Sequence, residues 1–323
     1  MSDWGKGVNN NIGWGQGANN DIGWGSIYDK SNAGETLLSG GGFEGMLDLF
    51  PNGSFAASPR KLKANYLGDS TTVRRANSDQ LSIGFAENEL NQPALVTFAD
   101  GGDASNVIFR DQTGNGRDFI QSTALSQPTI VEAGSVILAN TKPTLDYTLT
   151  STHLRCSASS FISPTDKLQV SVVAKNNNQS PSNETLFAQY LTTGDKRSWL
   201  FRVVSSGKIQ ISFGNPTTGI RQGVWISDNN FTYSNLKAIG FTFDAGTVKI
   251  YVNGLEVDSS LASGSIPATI FDADAEATIG SFLINNSPST PWNGQISELY
   301  AADNLKDSIV GIQQNQMTYF NIS

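Results

Sequence analysis

The chain has 323 residues, of which 38% are hydrophobic and only 15% are charged, and glycine occurs 32 times. This composition excludes a coiled coil, which needs many charged helix-forming residues, and a disordered tail, which is poor in hydrophobic residues. The 21 Lys and Arg residues and the 29 Asp and Glu residues give a net charge of -8, which disfavours binding to the phosphate backbone of nucleic acid. We therefore expect a globular protein with no nucleic-acid partner.

The N-terminal residues contain no hydrophobic region of the kind that a secretory signal has. No hydrophobic run in the sequence approaches the roughly 18 residues of a membrane-spanning helix. We therefore expect a protein that is neither exported by a standard signal nor inserted in a membrane.

Residues 4–25 contain a repeat with a period of ten residues, in which Trp, Gly, Ile and Asn recur in step. Such a unit is too short for a helical solenoid, and its Asn-Asn and Gly positions are typical of extended or turn-rich chain. The segment has too few hydrophobic residues for a core of its own, so its Trp rings must pack against something else. We predict that residues 1–44 are an assembly or anchoring segment, with a flexible tail as the alternative. The residues expected to make the contacts are Trp4, Ile12, Trp14, Ile22 and Trp24.

From residue 45 onward, short hydrophobic stretches alternate inward and outward residues, which is the period of a half-buried β-strand. Turn residues separate these stretches, and Asn253-Gly254 is the sequence that a two-residue type I′ hairpin prefers. Many short antiparallel strands at this spacing predict an all-β sandwich over residues 45–323. The clearest predicted strands are residues 168–174, 199–204, 208–213, 236–243 and 247–252.

Two segments have a helical pattern instead. Residues 58–66 predict a short internal helix that begins at Pro59, because proline is favoured at the first helical position. Residues 303–320 predict a C-terminal helix with one hydrophobic stripe. That stripe consists of Leu305, Ile309, Ile312 and Met317.

The chain has one histidine, His153, and one cysteine, Cys156. One cysteine cannot form an intrachain disulfide, and one histidine excludes a metal site built from several imidazoles. Cys156 is predicted to be a small hydrophobic residue of a strand. We expect His153 on the polar face of that strand rather than in a Ser-His-Asp triad.

Two acidic segments have oxygen-bearing side chains at a spacing that could suit a calcium site. Residues 111–118 have oxygen-bearing side chains at alternate positions, but Ser122 stands where a Glu should close the loop, so we predict a tight turn. For Asp272, Asp274 and Glu276, a solvated strand edge and a weak calcium site both remain open. We expect no metal and no cofactor.

Sugar rings stack on flat aromatic faces and form hydrogen bonds with amides. Burial in the sandwich is the competing interpretation, and it is favoured for Trp199, which begins a hydrophobic strand. Trp225 and Trp292 lie beside turn residues, so both interpretations stay open for them. The candidate carbohydrate-binding residues are Tyr190, Trp225, Tyr233, Asn285, Asn286 and Trp292.

Two stretches resemble known families. Residues 247–257, 277–280 and 292–300 resemble the last third of laminin-G-like, concanavalin A-like sandwiches. Residues 58–66, 73–79, 83–85 and 110–118 are similar, in this order, to the catalytic domain of the arabinofuranosidase B family, which has the same fold. The resemblance covers residues 45–320 and implies a concanavalin A-like antiparallel jelly-roll sandwich.

The resemblance also bears on catalysis, because the family consists of retaining glycosidases. Such enzymes need a nucleophilic carboxylate and an acid/base carboxylate about 5 Å apart. At the family's acid/base position this chain has Asn285, and an amide cannot deliver a proton. At the nucleophile position, Asp195 matches only after a shift of one residue. We therefore expect that the chain is not an enzyme, with a glycoside hydrolase of the arabinofuranosidase type as an alternative.

A sandwich of this kind preceded by a Trp-Gly/Asn-Asn repeat resembles bacteriophage fibre, spike and tail proteins. The resemblance implies a virion protein, assembled in the host cytoplasm, whose repeat contacts other virion proteins. It also implies a homo-oligomer, for which a trimer is one option, and a sandwich that binds glycans of the bacterial surface. The alternative is a structural virion subunit without a ligand. Exposure of both Trp225 and Trp292 would favour binding, and burial of both would favour the structural alternative.

Overall fold

The structure is a computed structural model that describes residues 42–149, 151–159, 161–178, 183–204 and 207–323. Gly45–Ser323 form one compact unit. The predictions for Trp4, Ile12, Trp14, Ile22 and Trp24 lie outside the described residues. No helix among the described residues combines the length and the apolar character that crossing a membrane requires.

The described residues are mainly β-strands, with few helices. The α-helices are α1 Met46–Leu49, α2 Gln92–Ala99 and α3 Ile309–Phe320. The strands are β1 Phe55–Ala57, β2 Thr71–Arg75, β3 Gln80–Ile83, β4 Phe85–Ala86, β5 Glu89–Leu90, β6 Ala104–Phe109, β7 Phe119–Ile120, β8 Thr129–Glu132, β9 Ser135–Val136, β10 Leu138–Ala139, β11 Lys142–Pro143, β12 Leu145–Asp146, β13 Leu154–Cys156, β14 Lys167–Asn176, β15 Glu184–Leu191, β16 Lys196–Val204, β17 Lys208–Gly214, β18 Arg221–Ser227, β19 Lys237–Asp244, β20 Thr247–Val252, β21 Leu255–Val257, β22 Ser259–Gly264, β23 Ala277–Ile279, β24 Phe282–Ile284, β25 Ser287–Ser289 and β26 Gly294–Ala302.

One large sheet of 22 strands wraps around the core. Its antiparallel neighbours follow the path β21-β20-β19-β14-β26-β12-β8-β6-β7-β13-β23-β15-β16-β17-β18-β22. The two ends of this path, β21 and β22, are separated in sequence by Asp258 alone. We call the place where these two end strands meet the seam.

The all-β concanavalin A-like sandwich predicted from the sequence is confirmed. Strands β14, β16, β17, β19 and β20 coincide with the five predicted stretches to within a few residues at each end. Asn253 and Gly254 form the predicted two-residue turn between β20 and β21, with φ of 51° and 76°. The period-2 pattern was therefore sufficient for these strands, because each has one face in the core.

Aromatic rings fill the centre of the core. The rings of Phe55, Phe119, Phe161 and Phe187 contact one another, and Phe187 lies edge-on to Trp199 at 5.1 Å between centroids. A fully buried side chain of this size stabilises the fold by about 2 kcal/mol. Cys156 belongs to the same core, as predicted, and burial raises the pKa of its thiol to about 12.

The helix predicted at residues 58–66 is wrong, since this segment is irregular. Its backbone is held by distant side chains: Leu62 N donates to Gln112 Oε1 at 2.8 Å, and Gln112 Nε2 donates to Ser58 O at 2.8 Å. Arg60 reaches into the interior and pairs with Glu298 at 2.7 Å. These long-range bonds replace the local bonds that a helix would have made.

The C-terminal helix is confirmed over its second part. It begins after Ser308, whose Oγ accepts a hydrogen bond from Gly311 N at 3.2 Å, and it packs on β14 and β19. Helix α2 was not predicted. Its N-cap is Asn91, whose Oδ1 accepts from Ala94 N at 3.2 Å.

Residues 111–118 form a turn closed by their own carboxylates. Asp111 accepts hydrogen bonds from the backbone N–H groups of Thr113 at 3.0 Å and Arg117 at 3.1 Å. Asp118 pairs with Arg110 at 2.7 Å. These bonds set the shape of the loop.

Candidate functional site

Trp292 and Tyr233 are core residues, which corrects their prediction as part of a carbohydrate platform. Both are fully buried, and their rings meet edge-on at 6.2 Å. Trp292 Nε1 donates to Lys175 O at 3.1 Å, and Tyr233 Oη donates to Gly207 O at 3.0 Å. With their polar atoms bonded to backbone and their faces covered, neither ring is available to a sugar.

Tyr190 is also buried, but on the opposite face of the sheet. It is 5% exposed and packs with Ala188, Leu200 and Phe282, outside the main core. Its ring lies edge-on to Phe282 at 5.6 Å. The prediction that Tyr190 stacks directly on a sugar is corrected for the same reason as that of Trp292.

Asn285 and Asn286 lie at an exposed hairpin tip between β24 and β25. Both have positive φ, 50° and 59°, which Asn tolerates better than most residues and which a type I′ turn requires. Asn285 N donates to Thr193 Oγ1 at 2.8 Å, and Thr193 Oγ1 donates to Asn285 Oδ1. The tip is therefore tied to the segment Thr193–Asp195, in which Asp195 pairs with Arg197. Asn285, which matches the family's acid/base position, is thus bonded to Thr193, two residues before Asp195.

A groove of about 600 Å³ begins at this tip, and we call it the polar groove. Arg155 is its central side chain. Its Nε donates to His153 Nε2 at 2.8 Å, its Nη1 to Glu276 Oε2 at 3.2 Å and its Nη2 to Asn286 O at 2.8 Å. Three partners fix the guanidinium, so a ligand would meet a preorganised donor. The groove is lined in particular by Gln121, His153, Arg155, Glu276 and Asn286.

His153 was predicted on the polar face of a strand; it lies directly before β13 and is buried, at 2% exposure. Its Nε2 accepts from Arg155 Nε and lies 3.0 Å from Gln121 Nε2, so the ring proton is assigned to Nδ1, which donates to Ser151 O at 2.7 Å. Burial lowers the pKa of His153 to about 4, so the ring is neutral at pH 7. The contact between His153, Arg155 and Gln121 was not predicted from the sequence. His153 and Arg155 are two residues apart, and that spacing places them on one side of an extended chain.

The acidic residues 272–276 do not act together. Glu276 pairs with Arg155, whereas Asp274 pairs with Lys196 at 3.0 Å. Within the described ranges, no three His, Cys, Asp or Glu side chains are grouped closely enough to hold a metal ion.

A second groove of about 600 Å³ lies at the seam, and we call it the seam groove. Trp225 is half-buried there, packed on the core on one side, with Nε1 donating to Ser259 Oγ at 2.9 Å. Lys249 and Glu256 form an exposed ion pair at 3.0 Å, and Asp258 also contributes to the lining. Of the predicted aromatic residues, Trp225 alone lines one of the two grooves. An aromatic ring beside hydroxyl, carboxylate and ammonium groups suits a sugar.

Comparisons with known proteins agree with the fold. A family model described as the Concanavalin A-like lectin/glucanases superfamily matches residues 151–304. Comparison with the curated proteins finds no match.

Two solved structures of arabinofuranosidases resemble the chain. A GH54 α-L-arabinofuranosidase soaked with a cyclic sulfate inhibitor has a TM-score of 0.59 at 14% identity. An arabinofuranosidase complexed with arabinofuranosyl-α-1,2-xylobiose has a TM-score of 0.56 at 15% identity. Each alignment covers 84% of this chain and 65% of the other. The carbohydrate-binding module CBM40 of a Ruminococcus gnavus sialidase reaches a TM-score of 0.38 at 11% identity, over 46% of this chain and 82% of the module, and is too dissimilar to support an argument.

These findings correct the expectation that the chain is not an enzyme. The two arabinofuranosidases share its fold over 84% of its length, so a glycosidase is taken up as a candidate below. The chain spans 65% of the length of those enzymes, and at 14% identity the likeness shows the fold alone. No comparison indicates a bacteriophage origin, which stays a prediction from the N-terminal repeat. The chain therefore has the fold of concanavalin A-like lectins and glucanases.

Proposed function

We propose that the sandwich binds a glycan in the seam groove. The observation that carries the proposal is Trp225, whose half-buried ring lines a groove large enough for one or more sugar rings. Stacking of a sugar on such a ring buries apolar C–H surface from both partners.

The groove supplies polar partners as well. Lys249, Glu256 and Asp258 line it, and the first two are about half exposed. Carboxylates accept hydrogen bonds from sugar hydroxyls, and an ammonium group donates to sugar oxygens. Ser259 holds the indole N–H, so Trp225 is oriented before a ligand arrives and loses little conformational entropy on binding.

The second part of the proposal concerns location: the protein is a subunit of a bacteriophage particle that binds glycans of the bacterial surface. Support comes from residues 4–25, whose three Trp residues need a partner surface, and from the resemblance of that repeat to virion proteins. Mass spectrometry of purified virions tests this part. Absence of the polypeptide from virions would contradict it.

Binding is tested by screening the full chain on a glycan array and measuring the best ligand by titration calorimetry. We expect Trp225→Ala to weaken binding about tenfold or more, because stacking and the ring's buried area are lost. Trp225→Phe keeps an aromatic face and should lose less. Arg155→Gln, in the polar groove, is the matched control and should bind like the unmodified protein. Equal affinity of Trp225→Ala and the unmodified protein would reject the seam groove.

A glycoside hydrolase is the second candidate, and the fold shared with arabinofuranosidases favours it. Asn285 is next to Asn286 of the polar groove and is bonded to Thr193 of the segment Thr193–Asp195, and Arg155 connects Glu276 to Asn286. Asp195 and Glu276 are therefore the two carboxylates with which a retaining mechanism would be tested.

The assay is release of 4-nitrophenol from 4-nitrophenyl α-L-arabinofuranoside. If the candidate is correct, the unmodified chain releases nitrophenol and Asp195→Asn or Glu276→Gln lowers the rate about a hundredfold or more. Asp274→Asn is the control, because Asp274 lies nearby but pairs with Lys196. No release by the unmodified chain rejects this activity.

A further inference from the structure

The outer face of strands β15 to β18 is a distinct surface of the sheet. Trp199 and Phe201 of β16 point into the core, so the alternating Ser198, Leu200 and Arg202 point outward. Leu200 accordingly packs with Tyr190 and not with the core. This face lies opposite to the one that carries Trp225, whose ring packs on the core.

Arg202 is a partly buried cation on this face. It stands opposite Gln210 of β17, whose amide oxygen, when turned toward it, accepts from Nε at 3.2 Å and from Nη2 at 2.9 Å. In the part of the chain that the structure describes, no ion pair involves Arg202. Burial lowers the pKa of Arg202, and the charge of Arg221 lowers it further. A partly buried cation without a counter-charge costs free energy, which a bound anion would offset.

Two more arginines approach the same place. The Arg197 guanidinium carbon lies 6.0 Å from the centre of the Tyr190 ring, and Arg221 begins β18 opposite Gly214. Burial raises the pKa of Tyr190, and the charges of Arg197, Arg221 and Arg202 all oppose that rise, so the three cations act electrostatically on the same hydroxyl. Among the described residues Arg197 has Asp195 as its ion-pair partner, and Arg221 has none.

Strand β16 also contains a buried hydroxyl group that lacks a hydrogen-bond partner among the described residues. Ser198 is 1% exposed, and its Oγ has no hydrogen-bond partner among the described residues. A buried hydroxyl of this kind is normally bonded. An oxygen atom of a ligand seated among the arginines would supply the missing partner.

We propose that this arginine face, made of Tyr190, Arg197, Ser198, Arg202 and Arg221, binds the anionic group of an acidic glycan. Guanidinium groups recognise carboxylates and sulfates through paired hydrogen bonds, which suits either substituent on a sugar. The inference goes beyond the proposed glycan binding, because it adds a second binding surface on the face opposite to the one that carries Trp225. With a net charge of -8, the chain as a whole repels a continuous polyanion such as nucleic acid. A short acidic oligosaccharide can still bind, because the local excess of positive charge on this face acts at close range.

Titration calorimetry of the full chain tests the proposal with three probes: a hexamer of galacturonic acid, a sulfated chondroitin hexasaccharide and neutral maltohexaose. We expect one of the two acidic probes to bind and maltohexaose to bind at least tenfold more weakly. The probe that binds identifies the carboxylate or the sulfate as the recognised group. Raising the salt concentration should weaken the acidic probe selectively.

Variants then identify the site. Arg202→Gln and Arg221→Gln should each weaken the acidic probe about tenfold or more, whereas Lys306→Gln, which removes an exposed charge elsewhere, should not. Arg202→Lys keeps the charge but loses the planar fork and should fall between. Should Arg202→Gln fail to fold, the exposed Arg221 carries the test alone.

Two outcomes would overturn the inference: neither acidic probe binds, or both arginine variants bind like the Lys306→Gln control. If Trp225-dependent binding of a neutral glycan persists in either case, the proposed function stands and only this inference fails. If the chain binds no glycan at all, both fail together.

Discussion

At the scale of single residues, His153 makes the free energy of unfolding of the chain depend on pH. Its pKa is about 4 in the folded chain because the ring is buried, against 6.5 for an exposed histidine. Between these two values the unfolded chain binds a proton that the folded chain does not. The free energy of unfolding should therefore be highest above pH 6.5 and should fall as the pH drops toward 4, by about 3 kcal/mol in total.

Urea unfolding at pH 7 and pH 5 measures this effect. Protonation of carboxylates also contributes over that range, so the comparison is with His153→Gln, which removes the titration and keeps a polar side chain. We expect the loss of stability between pH 7 and pH 5 to be about 2 kcal/mol smaller in the variant. An equal loss in both proteins would mean that His153 titrates normally.

A second prediction concerns the buried ion pair. Arg60 donates to both oxygens of Glu298 at 2.7 and 2.9 Å, and Glu298 is fully buried. Glu298→Gln leaves the Arg60 cation without its counter-charge, so it should lower the free energy of unfolding by about 3 kcal/mol. Asp244→Asn breaks the exposed pair with Lys167 and should cost less than about 1 kcal/mol in the same urea titration. Similar losses in both variants would contradict this account.

The sequence alone does not predict which of these side chains are buried and which are exposed. Trp225 and Trp292 both stand beside turn residues, and nothing local distinguishes them. Trp292 is buried because Tyr233, distant in sequence, covers its ring, whereas Trp225 lies on β18, next to the end strand β22, and lines the seam groove. The arginine face was missed for a related reason: Arg197, Arg202 and Arg221 come from two strands that are separated by β17. Such groupings require the strand order, which periodicity does not supply.

At the scale of elements, the hairpin between β20 and β21 offers a clean test of backbone conformation. Gly254 has φ of 76°, and a Cβ added there would meet nothing closer than 3.7 Å. Gly254→Ala therefore introduces a conformational penalty without a clash, and we expect a loss of about 1 kcal/mol in thermal or urea unfolding. Asn253→Asp tolerates the same positive φ and keeps the side-chain oxygen that accepts from Ala238 N at 3.1 Å, so it should be close to neutral. A neutral Gly254→Ala would show that the turn can adopt another type.

Elements that are determined by residues close together in the sequence were predicted correctly. The segment whose conformation is determined by residues far along the chain was not. The strands β14, β16, β17, β19 and β20 follow from alternation, and the hairpin follows from Asn-Gly. Residues 58–66 have a helical pattern that loses to hydrogen bonds from Gln112 and to the pairing of Arg60 with Glu298. Those partners lie about 50 and 240 residues away in the chain, so no window of the sequence contains them.

At the scale of the molecule, the wrapped sheet has three places where a ligand could bind. The seam groove lies where the two end strands meet, the polar groove begins at the β24–β25 tip, and the arginine face covers the outside of β15 to β18. Each proposal has its own variants, because Trp225 packs on the core side of the sheet whereas Arg202 lies on the outer side, and Glu276 is bonded to Arg155 rather than to the arginines of that face. The variants made for one proposal can therefore serve as controls in the assays of the other two.

The last prediction concerns assembly through the N-terminal repeat. Gly45–Ser323 form a compact unit with its own core, so a chain that begins at Gly45 should fold alone. Three Trp residues within residues 4–25 lack a core of their own, and we expect them to pack between copies of the chain. Light scattering should then give an oligomer for the full chain and a monomer for the chain that begins at Gly45. A full chain with Trp4, Trp14 and Trp24 changed to Ala separates the effect of the rings from that of length, and it should also be monomeric. Equal masses for all three proteins would mean that the repeat does not join copies, and a partner for it would then have to be sought among other proteins.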